Sequence, residues 1–155
     1  MLGVVLVDPV GNSLHCVLMT PEGFVLLDAV DDKGISIRRG VPPFDSPAFT
    51  EGMIADIRLM LLPPRGLFRD AGREKNGSLI CRYSDSEGRI TDVTAGGGGD
   101  DCREIRQYDA SGSLRRAIRL FQPGEPGIFG KIELDAPGIM GYSLRMTLIE
   151  GEPLK

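Results

Sequence analysis

The sequence predicts a mainly β (α+β) protein in which a curved antiparallel sheet forms an incomplete barrel wrapped around a central helix. Two observations lead to this prediction. Short apolar runs of strand length recur along most of the chain, separated by turns that use many of the 21 glycines and 11 prolines. Only one segment keeps a sustained helical period, and its polar side is too thin for a helix on the outside of the molecule. A curved sheet around one buried helix satisfies both.

The first third of the chain predicts a meander of four strands, at Leu2–Val7, Ser13–Thr20, Phe24–Val30 and Ile35–Arg39. These strands are apolar on both faces. In the second strand Leu14 and Leu18 share one face, and Val17 lies on the other. A strand that is apolar on both faces is covered on both, or one of its faces meets a cavity or a partner.

The predicted helix begins after Ser46 and ends before Pro63-Pro64. Ser46 can cap the first free amides, Pro47 suits the first turn, and the two prolines end the helix because they cannot continue its hydrogen bonding. Its apolar stripe is formed by Phe49, Met53, Ile57 and Met60, widened by Ile54 and Leu61. Methionine and phenylalanine at this spacing are usually core residues, so the alternative is an ordinary core helix on an α+β sheet.

The second half predicts a loop followed by hairpins. The polar segment Arg65–Gly77 predicts a loop with a short helical turn. Strands follow at Ser78–Ser84, Arg89–Thr94, Arg103–Tyr108, Ser113–Leu120, Phe129–Leu134 and around Tyr142–Leu148, with loops at Ala95–Asp101 and Gln122–Gly127. The last strand alternates most cleanly, with Tyr142, Leu144 and Met146 inward and polar residues between them.

Size and charge limit the function. The 155 residues predict one domain over 1–155, with 41% hydrophobic and 26% charged residues. A net charge of -4 argues against a nucleic-acid partner. The arginines around Arg106 and Arg119 are interleaved with acids, which favours a solvated face over a phosphate track. The chain opens directly into a strand, which fits an exported protein whose natural signal or lipid-anchor segment is missing.

The sequence favours a non-enzymatic protein without a cofactor or metal. The single His15 adjoins Cys16 in one strand, so their side chains point to opposite faces and cannot form a dyad. The cysteines lack metal-ligand spacing, and we find no nucleophile elbow or dinucleotide fingerprint. We expect Cys16 and Cys81 to be buried thiols, whereas Cys102 could reach another cysteine.

The order of these elements resembles the LolA/LolB-like superfamily of bacterial lipoprotein-localisation factors, and within it the LolB-like outer-membrane lipoproteins of unassigned function. Hairpins precede the helical segment "FTEGMIADIRLMLLPP", and glycine-turned hairpins follow it. The texts "YDASGSLRRAIRL" and "APGIMGYSLRMTLIEGEPL" are typical of the family's strands. The resemblance extends from Leu2 to Leu148.

The resemblance implies a cavity that receives lipid or lipoprotein acyl chains, in the periplasm or at the inner leaflet of a Gram-negative outer membrane. Other envelope proteins are further possible partners. The predicted lining consists of Leu14, Leu18, Leu26, Phe49, Met53, Ile57, Met60, Tyr142, Leu144 and Met146. The alternative is a structural or assembly lipoprotein module with a filled core, acting through its outer face or strand edges.

Overall fold

The computed structural model describes residues 1–96, 102–121, 128–139 and 141–152. It confirms a mainly β protein with one helix among these residues. The strands are β1 (Leu2–Asp8), β2 (Ser13–Met19), β3 (Val25–Asp31), β4 (Ile35–Gly40), β5 (Leu67–Arg73), β6 (Leu79–Ser84), β7 (Ile90–Ala95), β8 (Cys102–Tyr108), β9 (Leu114–Phe121), β10 (Lys131–Ala136) and β11 (Tyr142–Thr147), and the helix is α1 (Pro47–Leu61).

The strands form two antiparallel sheets, whereas the sequence predicted a single curved one. The first sheet has the order β1-β2-β3-β4 and the second the order β11-β10-β9-β8-β7-β6-β5. The chain divides into two compact units, Met1–Pro63 and Pro64–Lys155, within the span predicted as one domain. The physical reason for two sheets is that α1 and Pro63-Pro64 stand between β4 and β5, which do not pair.

In the first unit, α1 packs on one face of the four-stranded sheet. Ile54 and Leu62 join residues of β2 and β3 in a buried apolar cluster that also contains Leu14, Cys16, Leu18, Leu27 and Ala29. Met53 and Ile57 pack against this cluster. Alternate residues of β2 are therefore buried while those between them are half-buried.

The predicted helix bounds are correct, but the predicted cap is not. Ser46 occupies the N-cap position with extended backbone, yet its side chain makes no capping hydrogen bond. Glu51 is exposed, but most of the polar side of the helix is buried. Thr50 is 0% exposed, and its Oγ1 is satisfied by donating to the carbonyl of Phe44 at 2.7 Å. Arg58 is 6% exposed.

Four hairpins of the chain turn in the same way. In each, the first amide donates to the fifth carbonyl at 2.9 to 3.1 Å, and the fourth residue is a glycine with φ between 76° and 89°. Glycine populates this left-handed region without a steric penalty. The turns are Thr20–Phe24, Glu74–Ser78, Asp85–Arg89 and Asp109–Ser113.

The predicted loop Arg65–Gly77 is wrong, because Leu67–Arg73 forms the edge strand β5. It pairs with β6 through a register shift between Phe68 and Asp70. All seven residues of β5 are exposed, so the strand has no apolar face that a hydrophobic pattern could reveal. The predicted loop Gln122–Gly127 and most of the loop Ala95–Asp101 lie outside the described residues.

Candidate apolar binding surface

The ten residues predicted to line a cavity belong to both units. Seven lie in Met1–Pro63 and three lie on β11 in Pro64–Lys155.

In the first unit, five of the seven predicted lining residues belong to the core or pack against it. Leu14 is 2% exposed and Leu18 is 8% exposed, and both belong to the cluster against which Met53 and Ile57 pack. Met60 is also buried. A side chain sealed in a close-packed core has no free surface to offer a ligand. Leu14, Leu18 and Met60 are thus buried, whereas Met53 and Ile57 are half-buried at the surface of the cluster. The lining predicted for this unit stays a prediction.

The two other predicted residues of the first unit are not part of this cluster. Leu26 is half-buried and lies beside the register shift between β2 and β3. Phe49, in the first turn of α1, is 47% exposed and meets Phe44 edge-to-face, with ring centroids 5.6 Å apart. Phe49 thus lies at the margin of the core.

The three predicted residues of the second unit are open and aligned. Tyr142, Leu144 and Met146 are 41%, 38% and 37% exposed. They alternate along β11, so their side chains share one face of the sheet. We call these three residues the β11 row.

The β11 row lies at the edge of an apolar sheet face whose residues are more deeply buried on the neighbouring strands. Across the β10 register, Tyr142, Leu144 and Met146 oppose Ala136, Leu134 and Ile132. Leu134 is 0% exposed, as is Ile118, the residue opposite it on β9. Among the described residues β11 pairs on one side only, with β10, so the row lies at the edge of its sheet.

A cation and a surface depression lie at the Tyr142 end of the β11 row. The guanidinium carbon of Arg116 is 5.5 Å from the centroid of the Tyr142 ring, within cation–π range. The small side chain of Ala136 opposes Tyr142. A depression of about 380 Å³ at the β10–β11 turn is lined by Asp135, Ala136, Pro137, Gly138, Gly141, Tyr142 and Ser143. The Tyr142 end of the β11 row therefore adjoins polar groups, whereas Leu144 and Met146 are apolar.

The opposite face of the second sheet carries charges of alternating sign, an arrangement that sequence reasoning missed. Along one row, Asp70 opposes Arg82, Arg82 opposes Asp92, and Asp92 opposes Arg106. A second row begins at Glu104, two residues before Arg106 on β8. There Glu104 opposes Arg119, Arg119 opposes Glu133, and Glu133 opposes Arg145. Opposite charges directly across neighbouring strands stabilise a sheet. The sequence shows these charges at alternate strand positions. Which charges lie opposite each other follows only from the register of the paired strands.

The closest contacts of this charged face lie at two buried acids. Arg82 donates to both carboxylate oxygens of Asp92 at 2.7 Å. Glu133 lies 2.8 Å from Lys131 and 3.0 Å from Arg119. The hydrogen bond from Lys131, followed by the positive charges around it, lowers the pKa of Glu133. For Arg106 and Arg119, the prediction of a solvated face matched by acids agrees with these pairings.

The outer face of the first sheet, away from the α1 core, is open and largely apolar. Leu2, Val4 and Leu6 of β1 are 37%, 49% and 45% exposed. The polar pair of this face is formed by His15 and Asp28, whose Nε2 and Oδ1 are 2.7 Å apart. One apolar face of β1 is thus open, and the predicted alternative, that such a face meets a cavity or a partner, stays a prediction.

The cysteines agree in part with their predicted roles. Cys16 is 0% exposed and alternates with the half-buried His15, as expected for adjacent strand residues. Burial, together with the negative charge of Asp28, raises the pKa of the Cys16 thiol to about 11. Cys81 is half-buried rather than buried, and its thiol, like that of Cys16, is free.

Metal-ligating clusters and membrane-spanning helices are both absent from the described residues. Among these residues, no three His, Cys, Asp or Glu side chains are grouped so that they could hold a metal ion. No helix in the described part of the chain has the length and apolar character to cross a membrane. No family model, curated protein or solved structure matches the chain.

Proposed function

We propose that the chain is a non-enzymatic lipid- or lipoprotein-binding protein of the bacterial cell envelope, and that it contacts acyl chains along the β11 row. One observation carries the proposal: Tyr142, Leu144 and Met146 are aligned on one face of an edge strand, and each keeps more than a third of its surface accessible.

The row suits an extended apolar ligand. Alternate residues on a strand are roughly 7 Å apart, so the three side chains span about 13 Å. Leu148, just past the strand and 42% exposed, lies two residues beyond Met146. Burying this surface against an acyl chain stabilises the complex by about 25 cal/mol per Å². Methionine and leucine adapt to a mobile chain without requiring one shape.

The LolA/LolB resemblance supports this proposal and supplies its setting. It implies the periplasm or the outer membrane, and acyl chains as the ligand. It also implies an incomplete barrel around the helix, which we propose as the finer architecture of this protein. We propose no catalytic role, since the thiol next to His15, that of Cys16, is buried in the α1 core.

A structural or assembly module is the second candidate, and the core of the first unit favours it. Met53 and Ile57, expected to face a hollow, pack against a buried cluster instead. A protein with a filled core acts through its surfaces and strand edges. The two candidates differ in whether an apolar ligand is bound at all.

Native mass spectrometry on the protein purified from a bacterial host, followed by lipid extraction, separates the candidates. The acyl-chain proposal predicts co-purifying phospholipid or fatty acid that is released on denaturation. An unliganded mass, together with no uptake of a fluorescent fatty acid, would contradict it and favour the assembly module. A soluble protein of similar size, purified in parallel, controls for carried-over lipid.

A further inference from the structure

We propose that β1 is a self-association edge, at which two copies of the chain pair β1 with β1 in antiparallel fashion about a two-fold axis. The pairing would join two four-stranded sheets into one of eight strands. This association uses the edge of the first sheet and does not depend on acyl-chain binding.

The outer edge of β1 has no partner strand among the described residues. β1 pairs with β2 over all seven of its residues, from Leu2 opposite Met19 to Asp8 opposite Ser13, without a register shift. Its other side therefore presents a regular row of backbone donors and acceptors. Such a row is a template for another strand unless something blocks it.

The other three sheet edges carry features that block pairing. β4 has two arginines, Arg38 and Arg39, beside a register shift. β5 has charged residues and a register shift of its own. β11 carries Arg145 at its centre. Charges and bulges of this kind protect natural edge strands from edge-to-edge association. β1 has neither a cation, nor a proline, nor a bulge.

The side chains of β1 are self-complementary. A two-fold axis at Val4 places Val4 opposite its own copy and Leu2 opposite Leu6 of the other copy. In antiparallel pairing, opposed residues share a face. The six open side chains would thus meet as one apolar strip, while Gly3 would oppose Val5 on the other face. Asp8 would lie beyond the paired residues, so no charge is buried.

A second copy is the occupant that this chemistry selects. A strand that pairs with β1 must itself be apolar and uncharged along the contact. In an isologous contact the same strand of each copy supplies both sides, so β1 of a second copy meets this requirement. The interface is one strand pair and its apolar strip, which is small for a stable dimer. We therefore expect a dissociation constant on the order of micromolar.

Sedimentation equilibrium over a dilution series tests the association. The chain is expected to be dimeric at about 100 μM and monomeric well below 1 μM. Val4→Lys should raise the dissociation constant at least about tenfold, because it places two cations opposite each other. Ser36→Lys puts the same charge at an exposed position of the opposite edge strand β4 and should leave the constant unchanged. A monomer at every concentration, or equal dimerisation of folded Val4→Lys, would overturn the proposal.

Disulfide trapping tests the register. In a background of Cys81→Ser and Cys102→Ser, Val4→Cys should form a disulfide-linked dimer on mild oxidation. Directly opposed antiparallel residues have Cα atoms about 4.5–5.5 Å apart, within the range for a disulfide. Leu2→Cys is the matched control, because Leu2 opposes Leu6 and not itself. Cross-linking of Leu2→Cys in preference to Val4→Cys would overturn the pairing about Val4.

Discussion

Arg58 of α1 donates from Nη1 to the Oδ2 atom of Asp31, at the end of β3, over 2.7 Å in the interior of the first unit. The same guanidinium donates to the carbonyl of Asn12 at 3.2 Å and to its side-chain oxygen at 2.6 Å. The helix is thereby tied by polar contacts to the β1–β2 turn as well as to the sheet, beside the apolar cluster that it covers.

We predict that Arg58→Leu destabilises the protein by about 3 kcal/mol, because it leaves the buried carboxylate of Asp31 without its cation. Urea denaturation followed by circular dichroism measures the change in the free energy of unfolding. Arg38→Leu removes an exposed arginine from the same unit and should change this free energy by less than about 0.5 kcal/mol.

A double substitution distinguishes a broken pair from lost packing. Arg58→Leu combined with Asp31→Leu removes both charges, so it should cost less than the losses of Arg58→Leu and Asp31→Leu added together. Additive losses would show that the ion pair does not couple the two positions.

Glu133 should make the stability of the protein depend on pH at the acid end. In the folded state the pKa of Glu133 lies below its ordinary value of 4.5. The stability it contributes is therefore fully present above its unfolded pKa and is lost as the pH falls through its folded pKa. Glu133→Gln should reduce the free energy of unfolding near neutral pH, and the difference from the parent protein should shrink on acidification. A difference that stays constant down to about pH 2 would contradict the assignment.

Cys16 should be the slowest thiol of the native protein toward a disulfide reagent. Its pKa of about 11 leaves almost no thiolate at neutral pH, and its side chain is 0% exposed. A colorimetric thiol titration should show the slow phase become fast on unfolding and disappear in Cys16→Ala. A slow phase that survives in folded Cys16→Ala would assign it to Cys81 or Cys102.

The sequence predicted most strands because their turns are locally encoded. The hairpin turns at Asp85–Arg89 and Asp109–Ser113 each combine an acid that accepts backbone amides with a glycine three residues later. The edge strand β5 was missed because its seven residues are all exposed. Its pairing with β6 is visible only in three dimensions.

The candidate site was only partly predictable for a related reason. The alternation of Tyr142, Leu144 and Met146 indicated a shared face, which is a local property of a strand. Whether an apolar residue is sealed or open depends on what covers it. Met53 and Tyr142 both lie in apolar patterns, yet the first packs against the core and the second is 41% exposed. The burial of Arg58 likewise depends on Asp31 and Asn12, which lie 27 and 46 residues away along the chain.

Binding of a fluorescent fatty acid to Leu144→Asp tests the central claim most directly, because a charge at the middle of the β11 row opposes an acyl chain there. Thr147→Asp is the matched control, since it adds the same charge to the same strand on the opposite face. With both variants shown to be folded by circular dichroism, Leu144→Asp should weaken binding at least about tenfold and Thr147→Asp less than about threefold. Equal affinity of folded Leu144→Asp and the parent protein would contradict acyl-chain binding at the β11 row.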